Sequence, residues 1–223
     1  QAIRLAATMG PQNFSEIAPV YGRAGQGQSP GLQQLQQLLE TPAIPARLQL
    51  SALSIPSSSS SRLPWRRAQV LARALRQHLG LSNQPVPTDV LCDLFGLTTT
   101  TFKTELPRGR HPIAVAVPGP TGHISLHLRK WHPSARRFEL ARFIGDVLAS
   151  GSRPDSWYVS SDIPTERQRI QRAFAAEFLC PVESALEQLS GDYSEPAVEQ
   201  VAEQFGVSPE IVANLIANRE VNR

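Results

Sequence analysis

Residues 136 to 149, Arg-Arg-Phe-Glu-Leu-Ala-Arg-Phe-Ile-Gly-Asp-Val-Leu-Ala, constrain the fold more than any other stretch. Phe138, Ala141, Gly145 and Leu148 recur at steps of three and four, so a helix gathers them on one apolar stripe. Arg142 and Asp146 lie four apart, one turn from each other on that helix. An ion pair between them is the local expectation.

The chain has 223 residues, 41% of them hydrophobic, which suffices for one domain with its own core plus an appendage. Its apolar runs fall well short of the ~18 residues a membrane span needs. Cys92 and Cys180 suit reduced thiols in a cytoplasmic setting better than a disulfide framework. With Gln1 rather than Met at the first position, the true start is expected to be absent or trimmed.

Net charge is only +3, but it is unevenly spread. Thr41 to Thr88 holds no acid against Arg47, Arg62, Arg66, Arg67, Arg73 and Arg76. Leu106 to Phe138 again holds none, against Arg108, Arg110, Arg129, Lys130, Arg136 and Arg137. Asp192 to Asn218 inverts the pattern, with five acids and no base. Such asymmetry bears on partners and surfaces rather than on fold. Arg66, Arg73, Arg129 and Lys130 are the candidate contacts to nucleic acid; Arg66, Arg73 and Arg76 are expected to face water.

Residues 1–63 are rich in Gly, Pro, Ser and Gln and read as a poorly ordered or accessory segment, with a serine run at 57–61 as linker. A short helix is expected from Gly31 to Glu40, with Leu32, Leu35, Leu38 and Leu39 on one side. Residues 64–190 form the main unit. Pro64 opens a helix that stops near Gly80, and Thr88 caps a short one closed by Gly96. Thr98 to Thr104, Ile113 to Val117 and His123 to Leu128 read as three strands, the last two joined through Gly119-Pro-Thr-Gly122 as a hairpin. A capping box, Thr165-Glu-Arg-Gln168, starts a second long helix with Ile170, Phe174 and Phe178 as its stripe. Residues 191–223 read as helix, Gly206 turn, and a helix capped by Ser208 with Pro209 at its first position, a helix-turn-helix spelling. The second of these helices holds Glu210 and no Lys or Arg up to Asn218, so packing on the main unit is favoured over base reading.

Two stretches together resemble the ImmA/IrrE family of zinc metallopeptidases. Arg-Arg-Phe-x-Leu-Ala from Arg136 is similar to the lead-in of the family's helix, which continues into His-Glu-x-x-His. Phe174-Ala-Ala-Glu-Phe-Leu-Cys-Pro181 is similar to the end of the helix that carries the family's third ligand, a glutamate. The resemblance covers about residues 64 to 218. It implies an α+β fold, with a small three-stranded antiparallel sheet packed by helices, a zincin-like core and a C-terminal helix pair. It also implies a degenerate metal site. Arg142, Phe143 and Asp146 stand where the two histidines and the general-base glutamate belong, and Gln168 stands at the third ligand, with Glu166 as the alternative.

Zinc takes His, Cys or carboxylate ligands, and a guanidinium does not deprotonate to become one. Water activation with a nearby base is therefore not expected, and no cofactor or metal is assigned. The expected function is a catalytically inactive domain that binds a protein, as a regulatory or assembly factor. His123, Ser125 and His127 mark a strand to which a peptide could add. The alternatives are a DNA-binding transcriptional regulator, and a metallopeptidase with displaced ligands drawn from His123, His127, His132, Asp146 or Glu166. On a strand, His123 and His127 stand roughly 13 Å apart, so a shared metal would need a bend.

Overall fold

A computed structural model describes residues 7, 9–21, 30–50, 63–103, 111–151 and 157–221. The serine run at 57–61, Arg62, Thr104, Arg108, Arg110 and the break at 152–154 lie outside them. Among the described residues the protein is α+β, with ten α-helices and one antiparallel sheet of four strands.

The sequence predicts three strands, and two of them form as a hairpin. Strands β2 (Ile113–Pro118) and β3 (His123–His127) are joined by a 3-10 turn, Pro120–Gly122. The third, from Thr98, is instead a helical turn. Thr98 Oγ1 accepts from Thr101 N at 3.0 Å, and this local cap overrides the β preference of a threonine run. Two strands not predicted complete the sheet in the order β1-β3-β2-β4. Strand β1 (Ile44–Arg47) pairs Ile44 with Leu126, and β4 (Tyr158–Ser161) pairs Val159 with Val115. Both are four-residue edge strands, made by pairing rather than propensity. Pro45 is tolerated in β1 because an edge strand can spare an N–H donor.

Strand β2 is buried on both faces, which explains its unbroken apolar run. Ala114 and Ala116 face the main core. Ile113 and Val115 join Met9, Ile17, Leu35, Leu38, Trp157 and Val159 in a second one. That second core is closed by α1 (Pro11–Tyr21) and α2 (Pro30–Glu40). The described part of residues 1–63 thus covers one face of the sheet and supplies its edge strand β1.

On the main face pack α3 (Pro64–His78), α4 (Thr88–Asp93), α5 (Thr99–Lys103), α6 (Pro133–Ser150) and α7 (Glu166–Leu179). The expected starts and stops hold for α3, where Pro64 sits at the first turn and Gly80 follows at φ +67°. Thr165 caps α7 by accepting from Gln168 N at 3.2 Å. Arg76 departs from expectation. It is buried and donates to the carbonyls of Ser82, Gln84 and Phe178, so it pins α3 to α7 and to its own exit loop.

Helix α8 (Val182–Leu189) leads to the C-terminal pair, α9 (Glu195–Phe205) and α10 (Pro209–Val221). Gly206 turns between them at φ +63°, where glycine carries no side-chain penalty. Arg137, buried on α6, donates to Val86 O and Thr88 Oγ1 within the main unit, and its bond to Gly206 O ties the pair to that unit. Among the described residues no helix is long and apolar enough to cross a membrane.

Candidate functional site

Helices α6 and α7 cross closely because α6 has no side chain at Gly145. A Cβ there would lie 2.7 Å from Cβ and Cγ of Phe174, well inside van der Waals contact. The crossing brings the face of Arg142 and Asp146 against the first turns of α7 and against β4.

Arg142 and Asp146 do not pair with each other, contrary to the sequence expectation. Asp146 is taken by Arg167 of α7, whose Nε and Nη2 reach Oδ1 and Oδ2 at 2.8 and 2.6 Å. That two-pronged geometry is stronger than an i,i+4 pair with the base first. Arg167 also donates to Asn13 Oδ1 at 2.6 Å, so α1 joins the network. Burial pushes the Asp146 carboxyl above its usual range, with Arg167 opposing.

Arg142 turns the other way. Its Nη2 donates to Ser161 O at 2.6 Å and to Gln168 Oε1. Gln168 Oε1 also accepts from Ser161 N at 2.9 Å, and its Nε2 donates to Val159 O at 3.0 Å. The capping-box glutamine therefore spends its side chain on β4 and Arg142, not on its own helix start. Arg142 is 3% exposed, and its Nε has no hydrogen-bond partner. Burial, followed by the nearby charge of Arg129, lowers its pKa to about 10; Arg172 adds to this, and Glu139 and Asp162 oppose it. Phe143 is a core side chain.

Arg142 lines a cleft of about 1000 Å³ bounded by α3, α6, α7, α8 and α10. Its walls carry Arg66, Arg73, Arg129, Lys130, Arg169 and Arg172 against Glu139, Asp162, Glu183 and Glu210. Apolar surface comes from Trp65, Phe138, Ala173, Ala176, Ile211 and Leu215. All four candidate nucleic-acid residues are in this cleft, and Arg73, Arg129 and Lys130 each have a carboxylate partner. The Arg129 side chain is 3% exposed and held by Glu139 at 2.9 Å and Asp162 at 2.7 Å. Arg73 is held by the buried Glu177 at 2.6 Å and by Glu183 at 3.1 Å. Lys130 lies 4.0 Å from Asp162.

The histidines do not converge. His127 is buried, with Nδ1 3.5 Å from Thr41 Oγ1, and burial lowers its pKa. His123 is exposed and its Nδ1 lies 3.2 Å from Pro120 O in its own turn. His132 Nδ1 contacts Ser134 Oγ at 2.8 Å. Among the described residues no group of three or more His, Cys, Asp or Glu side chains comes together to hold a metal ion. The displaced-ligand site is therefore not assembled there. Strand β3 is not a docking edge either. It is paired on both sides, so His123, Ser125 and His127 leave no free backbone for an added peptide. Cys92 and Cys180 are buried free thiols, and burial pushes Cys180 up to about 12.

Zinc does not fit the residues at positions 142, 143, 146 and 168. A guanidinium and a phenyl ring offer no lone pair to a metal, and the one carboxylate, Asp146, is held by Arg167. The sequence suggests Arg172 as a candidate member of the Arg142–Asp146 network, but sequence reasoning missed Arg167 and Arg169. The spacing of Arg169 and Arg172, three apart on an evident helix, was the available signal that they share a face. Compared with protein-family models, curated proteins and solved structures, the chain has no match.

Proposed function

We propose that this protein is a non-catalytic relative of the ImmA/IrrE zinc peptidases and acts by holding a protein segment in the cleft between α3, α6, α7 and α10, in a regulatory role. The observation that carries the reading is the Arg142–Gln168 hydrogen bond. It joins α6 to α7 at the two positions where the family resemblance requires a metal-ligating pair. A cation and a carboxamide there hold the helices together without a metal and leave nothing to polarise a water molecule. The cleft itself is intact, and it combines apolar walls with unequal charge, as a groove for a peptide requires. The DNA-binding alternative is weaker, because Arg73 and Arg129 already have carboxylate partners.

Elemental analysis of the purified protein, with a casein cleavage assay in added zinc, tests the reading. Sub-stoichiometric zinc and no zinc-dependent cleavage are expected. One tightly held zinc per chain, or cleavage abolished by a chelator, overturns it.

A further inference from the structure

The cleft has a chemical preference that the loss of a metal site does not explain. Arg142 is a buried guanidinium on its floor, with both hydrogen bonds on Nη2 and none on Nε. Among the described residues no carboxylate lies within ion-pairing distance of Arg142, Arg169 or Arg172. The nearby Glu139 and Asp162 are both engaged by Arg129. Arg169 and Arg172 stand on one face of α7 and line the same cleft. A buried charge without a counter-ion is costly unless something supplies one. Here the missing partner has a definite sign and a definite place.

We infer that the cleft binds an acidic peptide segment, with one side-chain carboxylate of the partner seated between Arg142 and Arg172 and apolar neighbours resting on Phe138, Ala173 and Ile211. The inference rests on the reading of the cleft as a peptide groove and names what that groove selects. Guanidinium and carboxylate match as planar forks, so a carboxylate gains direction as well as charge. The apolar wall asks for aliphatic residues beside the acid. A nucleic acid strand fits less well. It would run its phosphates past Glu183 and Glu210 on the facing walls, and among the described residues Trp65 and Phe138 are the cleft's only aromatic rings on which a base could stack.

Fluorescence anisotropy with a labelled, C-terminally amidated hexapeptide of alternating Leu and Glu tests this. The comparison probes are the same peptide with Gln for Glu, and an oligothymidylate of similar length. The Glu peptide is expected to bind, and the Gln peptide to bind at least tenfold more weakly. Arg142→Met and Arg172→Ala are each expected to weaken the Glu peptide tenfold or more, with circular dichroism unchanged. Arg172 is half-buried at the cleft wall, so its variant remains a test if Arg142→Met does not fold. Equal binding of the two peptides, or of wild type and both variants, overturns the acidic preference while leaving a peptide groove standing. Binding of neither peptide removes the groove as well, and tighter binding of the oligothymidylate replaces both with a nucleic-acid site.

Discussion

Arg142→Met removes the buried charge and keeps most of the side-chain volume. The fall in the Arg142 pKa to about 10 from the ordinary arginine value corresponds to a penalty of about 3 kcal/mol on the charged form in the folded state. Removing the guanidinium lifts that penalty. Against it stands the loss of two hydrogen bonds. Gln168 Oε1 keeps Ser161 N as a donor, but Ser161 O loses its Arg142 bond inside the core, at a cost of roughly 1–3 kcal/mol. The balance favours the variant by about 1 kcal/mol, or a rise in Tm of roughly 2–4 °C for a chain of this size. Urea and thermal unfolding followed by circular dichroism measure it. The pH dependence has a fixed sign. Well below pH 10 both states keep the proton, and the wild type carries the whole penalty. As pH rises through about 10, the folded state releases the proton before the unfolded state does. The wild type therefore gains on the variant until the ordinary arginine value is reached. A variant destabilised by 2 kcal/mol or more, or a gap that widens above pH 10, refutes the reasoning.

Gly145→Ala forces a Cβ to 2.7 Å from Phe174. The overpacking should cost about 1–3 kcal/mol in urea unfolding, although alanine is the better helix former by about 1 kcal/mol. Asp146→Ala strands Arg167 in a partly buried site, and a loss of about 3–5 kcal/mol is expected from the same titration. Arg137→Ala removes the donors to Val86 O, Thr88 Oγ1 and Gly206 O. Faster amide exchange in α9 and α10 than in α6 is the expected result by mass spectrometry, since the bond to Gly206 O joins the helix pair to the main unit. The combined variant Arg142→His, Phe143→Glu, Asp146→His and Gln168→Glu restores the family's donor set. It should take up zinc by elemental analysis where the parent does not, and failure of a folded variant to do so counts against the resemblance.

The long helices were legible because their signals are local. Apolar spacing marked α3, α6 and α7, and Thr165, Pro64 and the Gly206-Val-Ser-Pro209 turn marked ends by side-chain or backbone chemistry contained within a few residues. The edge strands were not legible for the opposite reason. Ile44–Arg47 is a strand only because β3 lies beside it, and Tyr158–Ser161 only because β2 does. The run Trp157-Tyr-Val does carry the aromatic and β-branched residues of a strand, a signal the sequence reading passed over. Thr98 misled in the other direction, since a threonine that caps a helical turn and a threonine in a strand are spelled alike.

The same division between local and distant signals governs the site. Positions 142, 146 and 168 could be singled out from sequence, because motif spacing is local. Gln168 could also be suggested as a neighbour of Arg142, but the other partners could not, because Asp146 chooses Arg167 from another helix and Arg142 reaches Ser161 on a strand. This rearrangement changes what the site can do. An Arg142–Asp146 pair would have been neutral. With Asp146 held by Arg167 on the α1 side, Arg142 lines the cleft with no carboxylate in ion-pairing distance among the described residues. Two carboxylates nearby are spent on Arg129, whose own burial demands them. A fold that needed only to fill the space could do so with a neutral side chain at lower cost. A positive charge stranded at the floor of an open groove is instead preorganised for a negative ligand, since the cost of burying it is already met in the free protein.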